Sequence, residues 1–221
     1  MTKINKIVKY LIFADIAFWT GWGLVTPVFS IFIVDKIQGG TILVVGIATF
    51  IYWLFRSLSV LPSGKILDKY IGEKDDYLFL VAGNFIATLV IFGYTLAIYP
   101  WHIYVLQAFY GFGMAISLVG WKAIFSRNID KGKEASEWAL DDTLLSLGTA
   151  LAGIVCGVLV TEIGYVNTFL IAGTLGIISV ILLLCLRKDI EGVFNRNFSK
   201  NIRNIFKNKE VEENDMFRTK Q

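Results

Sequence analysis

Histidine is almost missing from this chain: His102 is the only one among 221 residues. Cysteine is nearly as scarce, and both copies, Cys156 and Cys185, lie inside apolar runs. Such a shortage excludes a disulfide framework, a cysteine metal site and a histidine-rich metal site. No HExxH or GxSxG string occurs, and no nucleophile–base pair or metal cluster falls within an apolar stretch. The residues therefore argue against an enzyme and call for no cofactor or metal. Charge is scarce too, at 18% of residues, against about 25% in soluble domains. The net charge of +3 is small and gives no reason to expect a nucleic-acid partner.

Hydrophobic residues are what the chain has in abundance, at 55%, with a mean hydropathy of +0.61. The few polar residues are clumped, which leaves six long stretches with almost no charge, at 10–34, 41–61, 77–99, 103–121, 143–161 and 165–186. They are apolar on all sides, unlike a helix on the surface of an aqueous core. At about 1.5 Å per residue, each is long enough to cross a hydrocarbon layer of about 30 Å. Strands of a membrane barrel would be only about ten residues long and would alternate in polarity. The sequence therefore predicts an all-α polytopic membrane protein with six transmembrane helices. Lys3, Lys6 and Lys9 precede the first stretch as in a signal peptide. However, the apolar run is too long and no small-residue cleavage site ends it, so it reads as an uncleaved first span.

Basic residues set the expected orientation. Of the 21 Lys and Arg, 20 fall at the N-terminus, near the two longer loops or in the tail, and only Lys36 falls on the other side. Both termini and both long loops are thus expected in the cytoplasm. In the tail, 187–221, Ile190, Phe194, Phe198, Ile202 and Phe206 recur at helical spacing, with Arg196, Lys200, Arg203 and Lys207 between them. This basic amphipathic pattern suits a helix on an anionic inner leaflet. A disordered polar tail is the other reading, and the residues from Glu212 onward fit it.

Three strings follow one another in a telling order. After the second stretch comes Pro62-Ser-Gly64-Lys-Ile-Leu-Asp68-Lys69-Tyr-Ile-Gly72-Glu-Lys74. On the fourth is Gln107-Ala-Phe-Tyr-Gly111-Phe-Gly113-Met-Ala115, and on the fifth Gly148-x-x-x-Ala152-Gly153-x-x-Cys156-Gly157. Together they resemble the loop 2–3, segment 4 and segment 5 signatures of the major facilitator superfamily. Three departures stand out: Gly72 comes one residue late, Gln107 replaces an arginine that some members use in proton coupling, and Gly153 stands where proline is usual. The resemblance implies one half of the twelve-span fold, a 3+3 inverted repeat. The paired Gly21-Trp22-Gly23 and Gly111-Phe112-Gly113 echo that repeat. It also implies a gating motif at Gly64, Asp68, Lys69 and Gly72. Small residues four apart in the third string allow close helix contact, either within one bundle or between two.

Ionisable groups inside a span face a cavity or a partner. Asp15 and Arg56 are such groups, and they read either as an ion pair or as a solute or coupling site. Trp19, Trp22 and Gln107 are further cavity candidates, with Thr20, Asn84, Ser117 and Trp121 behind them. The charged stretch 126–138 reads as a solvated loop with a short helix, or as a gate meeting Asp68. The function expected is a half-size secondary transporter of a small solute, working by alternating access as a homodimer in the cell membrane. The alternative is a non-transporting membrane scaffold or regulatory subunit derived from a transporter half.

Overall fold

In the computed structural model, residues 4–69 and 73–190 are described, and among them every regular element is an α-helix. There are five: α1 (Lys6–Lys36), α2 (Ile42–Lys69), α3 (Glu73–Tyr94), α4 (Pro100–Asn128) and α5 (Glu134–Cys185). All five are long and apolar enough to cross a membrane. Gly72 and the expected amphipathic tail from residue 191 onward lie outside the described residues.

Most helices overrun the apolar stretches at one or both ends, while α3 stops at Tyr94, short of the expected 99, because helix ends are set by capping and packing and not by where charge begins. The Asn5 side chain caps α1 by accepting from the Ile7 N–H at 3.0 Å. It also ties that end to α4, donating to the Asn128 carbonyl at 2.9 Å. α2 continues through Pro62 to Lys69, so Gly64, Asp68 and Lys69 lie on its last turns and not in a loop. An internal proline removes one helix hydrogen bond; burial of Ser63 and Leu67 beyond it holds the helix together. The stretch 126–138, expected to be mainly loop, is mostly helix as well. Only residues 129–133 link α4 to α5, turning at Gly132 with φ +81°. The lone histidine is structural: His102 Nδ1 accepts from the N–H groups of Tyr99 (3.0 Å) and Ile98 (3.2 Å) at the start of α4.

The fifth and sixth expected helices are one element interrupted at Gly164, where φ is 79° and ψ 172°. That left-handed φ requires glycine or a strained side chain. Before the break, Thr149 Oγ1 reaches the Trp19 carbonyl at 3.5 Å and Ala152 lies against Gly23. After it, Tyr165 Oη donates to Asp35 at 3.2 Å, the Phe169 and Phe32 rings lie 5.0 Å apart, and Ala172 lies against Gly21. Lys6 finally pairs with Asp189 at 2.9 Å. Residue numbers therefore rise together along α1 and the first arm and run oppositely along the second. The chain reverses at Gly164, and both arms flank α1.

α4 is held in the corresponding way between α2 and α3. A Cβ on Gly111 would strike the Tyr52 carbonyl of α2, and one on Gly113 would stand 2.9 Å from the Gly83 carbonyl of α3. In lipid there is little hydrophobic force between helices, so such close backbone contact is a main source of association. Gly21 is equally tight, with its would-be Cβ 2.6 Å from the Ala172 carbonyl, whereas Gly64 has only Val119 at 4.0 Å. Gly64 therefore makes no close backbone approach within the described bundle. Gly21→Ala should destabilise the protein by about 1–3 kcal/mol, seen as a lower thermal midpoint in detergent. Gly64→Ala should leave the midpoint unchanged or raise it, since alanine is the better helix former.

Candidate functional site

Two apolar clusters fill the bundle. One surrounds Phe18, Tyr94 and Phe169, and the other surrounds Leu11, Leu80 and Phe125. Asp15 falls at the seam between them, and a cavity of about 230 Å³ opens there. α1 contributes Asp15 and Trp19, α3 contributes Asn84, and α4 contributes Ser117 and Trp121. The start of α5 adds Trp138, Asp141 and Asp142.

The wall is polar in an unusual way. Asp141, Asn84 and Trp121 are 6%, 4% and 8% exposed. Asp141 Oδ1, Asn84 Oδ1 and Trp121 Nε1 nevertheless have no hydrogen-bond partner. Asn84, on the cavity wall, spends its Nδ2 on Ser179 Oγ of the second arm of α5 at 3.3 Å, which leaves its Oδ1 without a partner. The ion pairs among the described residues are Lys6–Asp189, Arg127–Asp76 and Lys133–Asp130, so none neutralises Asp15, Asp141 or Asp142. Buried polar groups in a folded protein are normally satisfied. Of the eight such unpartnered atoms among the described residues, three belong to residues that line this cavity, two of them acceptors.

The sequence candidates divide between two places. Asp15 and Trp19 line the cavity. Trp22 and Arg56 belong to a separate stack. Trp22 lies on Tyr110 at 4.2 Å, Tyr110 lies on Tyr52 at 4.9 Å, and Arg56 sits 4.9 Å over the Trp53 ring. Asp15 and Arg56 therefore form no ion pair. Gln107 is buried on α4 with its Oε1 unpartnered, away from the cavity wall. The small-residue string also divides. Gly148 packs on Thr20 and Ala152 on Gly23, but Gly153 and Gly157 have nothing within 4 Å.

Trp138 and Asp141 were not among the sequence candidates for the cavity. The signal that finds them is helical spacing: Trp138, Asp141, Leu145 and Gly148 share one face once the helix is extended upstream of its apolar run. Trp138 closes the site as part of an aromatic trio, 5.5 Å from Trp121 and 4.6 Å from Phe125. The Arg127–Asp76 pair, which joins the end of α4 to the start of α3, was also invisible in the sequence.

The bundle is that of a multi-pass membrane protein of the transporter type. The major facilitator superfamily model matches residues 11–213, and the chain belongs to that superfamily. Its fold is similar to the in meso crystal structure of the POT family transporter PepTSo. The TM-score is 0.71 at 14% identity, over 85% of this chain and 38% of that one. The chain thus spans well under half the length of that structure. No curated protein matches it.

A buried carboxylate without a partner costs stability, so removing it should help the fold. Asp141→Leu should raise stability by about 1–3 kcal/mol, read as a higher thermal midpoint in detergent. A lower midpoint would mean that the carboxylate is satisfied after all.

Proposed function

We propose that this chain is one six-span half of a secondary transporter, which moves a small solute by alternating access as a homodimer in the cell membrane. The observation that carries this reading is the cavity with unsatisfied polar atoms, set where α1 and α4 meet α3 and α5 in a major facilitator bundle. Sites at the interface of repeats are the working centres of such transporters.

Six crossings follow from length. The 52 residues of α5 would extend about 78 Å as one helix, more than twice the hydrocarbon thickness of about 30 Å. The reversal at Gly164 supports reading it as two crossings. With the arms counted separately, α1 meets the fifth and sixth crossings as α4 meets the second and third. This exchange is what a 3+3 inverted repeat requires, and it pairs Gly21 and Gly23 with Gly111 and Gly113.

A second copy completes the cavity. α2 exposes Leu43, Phe50, Leu54 and Leu58, and the first arm of α5 exposes Leu147, Leu151, Ile154 and Val158. Gly46 on α2, like Gly153 and Gly157 on α5, has open space where another backbone could approach. A two-fold axis along the membrane normal would lay α2 of one copy on α5 of the other. In this arrangement Gly64, Asp68, Lys69 and Gly72 form the cytoplasmic gate, and the exposure of Asp68 on the last turn of α2 supports that role. The Lys and Arg distribution puts both termini in the cytoplasm, with the tail on the anionic leaflet.

Two experiments test this. In sealed vesicles, Asp15→Asn should lower flux at least about tenfold, the scale of losing a charge contact of about 1.4 kcal/mol, while the protein still inserts and folds. Unchanged flux would remove Asp15 from the mechanism. Absence of flux from the wild type would favour the non-transporting scaffold. Cysteine pairs with one member in 46–58 and the other in 147–159 should cross-link between copies. Full activity from a monomer, or cross-links confined to the third and sixth crossings, would overturn the dimer.

A further inference from the structure

We infer that the cavity between α1, α3, α4 and α5 binds a small organic cation of the ammonium type, held between Asp15 and Asp141 and the faces of Trp19, Trp121 and Trp138. This rests on the cavity being the solute site proposed above and gives that solute its chemical class.

The charge balance of the wall is one-sided. Asp15, Asp141 and Asp142 line it, and no lysine, arginine or histidine does. None of the three is in an ion pair among the described residues. The unpartnered buried atoms of the lining residues are also biased. Asn84 Oδ1 and Asp141 Oδ1 are buried acceptors without donors, against one unused donor, Trp121 Nε1. A ligand that satisfies such a wall brings positive charge and N–H or polarised C–H groups. An anionic ligand would meet repulsion at every carboxylate.

The aromatic residues narrow the class further. Trp19, Trp121 and Trp138 all border the same space, and Trp121 and Trp138 meet edge to face at 5.5 Å and 63°. A cation over an indole face is attracted by the ring quadrupole, most strongly where water is excluded, and aromatic cages are how proteins hold alkylated ammonium groups. A bare metal ion would gain little from indole faces and would require oxygen ligands converging on one point. Three acidic groups close enough to share such an ion do not occur among the described residues. At about 230 Å³ the cavity has room for a compact cation.

The test uses the purified full chain in phosphatidylglycerol nanodiscs, where no headgroup amine competes. Binding of choline and tetramethylammonium is followed by intrinsic tryptophan fluorescence and by calorimetry. The comparison ligand is 3,3-dimethyl-1-butanol, which has the shape of choline without its charge. Saturable binding of choline, weakened about tenfold or more for the neutral isostere and in Asp141→Asn, is the expected result. Trp138→Ala should weaken choline binding while leaving the isostere less affected. Equal binding of choline and its isostere, or no saturable binding of either ammonium ion, would overturn the inference even in a variant-free experiment. Because binding is read without flux, the outcome is separable from the transport reading. Flux of another solute with no ammonium binding would refute only the cation, and ammonium binding without flux would refute only transport.

Discussion

A carboxylate placed among helices is stabilised by a cation or a hydrogen-bond donor, and no side chain or backbone N–H of the described bundle meets Asp141 Oδ1. Its oxygen lies on a wall shared with Asp15 and Asn84, so the deficit belongs to the cavity and not to one residue. In a medium of low dielectric constant such a deficit is expensive, and a ligand that brings donors or positive charge would relieve it. The rest of the bundle can be understood as the scaffold that holds this wall open. Phe18 and Ile16 anchor the helix around Asp15 into opposite apolar clusters, and Asn84 is oriented by Ser179 from a different crossing.

The scaffold depends on close backbone approach. α1 and α4 carry the glycine pairs, and each is gripped by two neighbours at those glycines. This leaves the same two helices free to present Asp15, Trp19, Ser117 and Trp121 to the cavity one or two turns away. α2 and the first arm of α5 are held on one side only and expose leucine, isoleucine and phenylalanine on the other. The division between gripped cavity helices and half-covered outer helices is the geometry from which rocking of one half against another would proceed.

Much of this was legible in the residues. Helices apolar on every side and long enough for a bilayer leave few alternatives, and the glycine–aromatic–glycine pairs mark the two gripped helices. Helix ends were less legible, because a change from apolar to charged residues marks the membrane surface and not the end of hydrogen bonding. α2 therefore passes Pro62, and α5 begins at Glu134, nine residues before its apolar run. Trp138 and Asp141 were hidden for that reason: they stand on a helical face whose helix seemed not to have started. The pairing of Arg56 with Asp15 failed for another reason, since both lie at similar depth but on helices whose partners differ. α1 leans on α5, while α2 leans on α4, and Arg56 turns instead to Tyr52 and Trp53. The gating role expected of Gly72 and the leaflet contact expected of the tail fall on residues beyond those described.

The most direct measurement is side-specific labelling of the cavity. A single cysteine at position 117, on the cavity wall, in a background with Cys156 and Cys185 changed to serine, would be exposed to a membrane-impermeant thiol reagent from one face of sealed vesicles and then from the other. Alternating access requires modification from both faces, with each rate slowed by bound solute. Labelling from one face alone, under every condition that supports flux, would contradict the account.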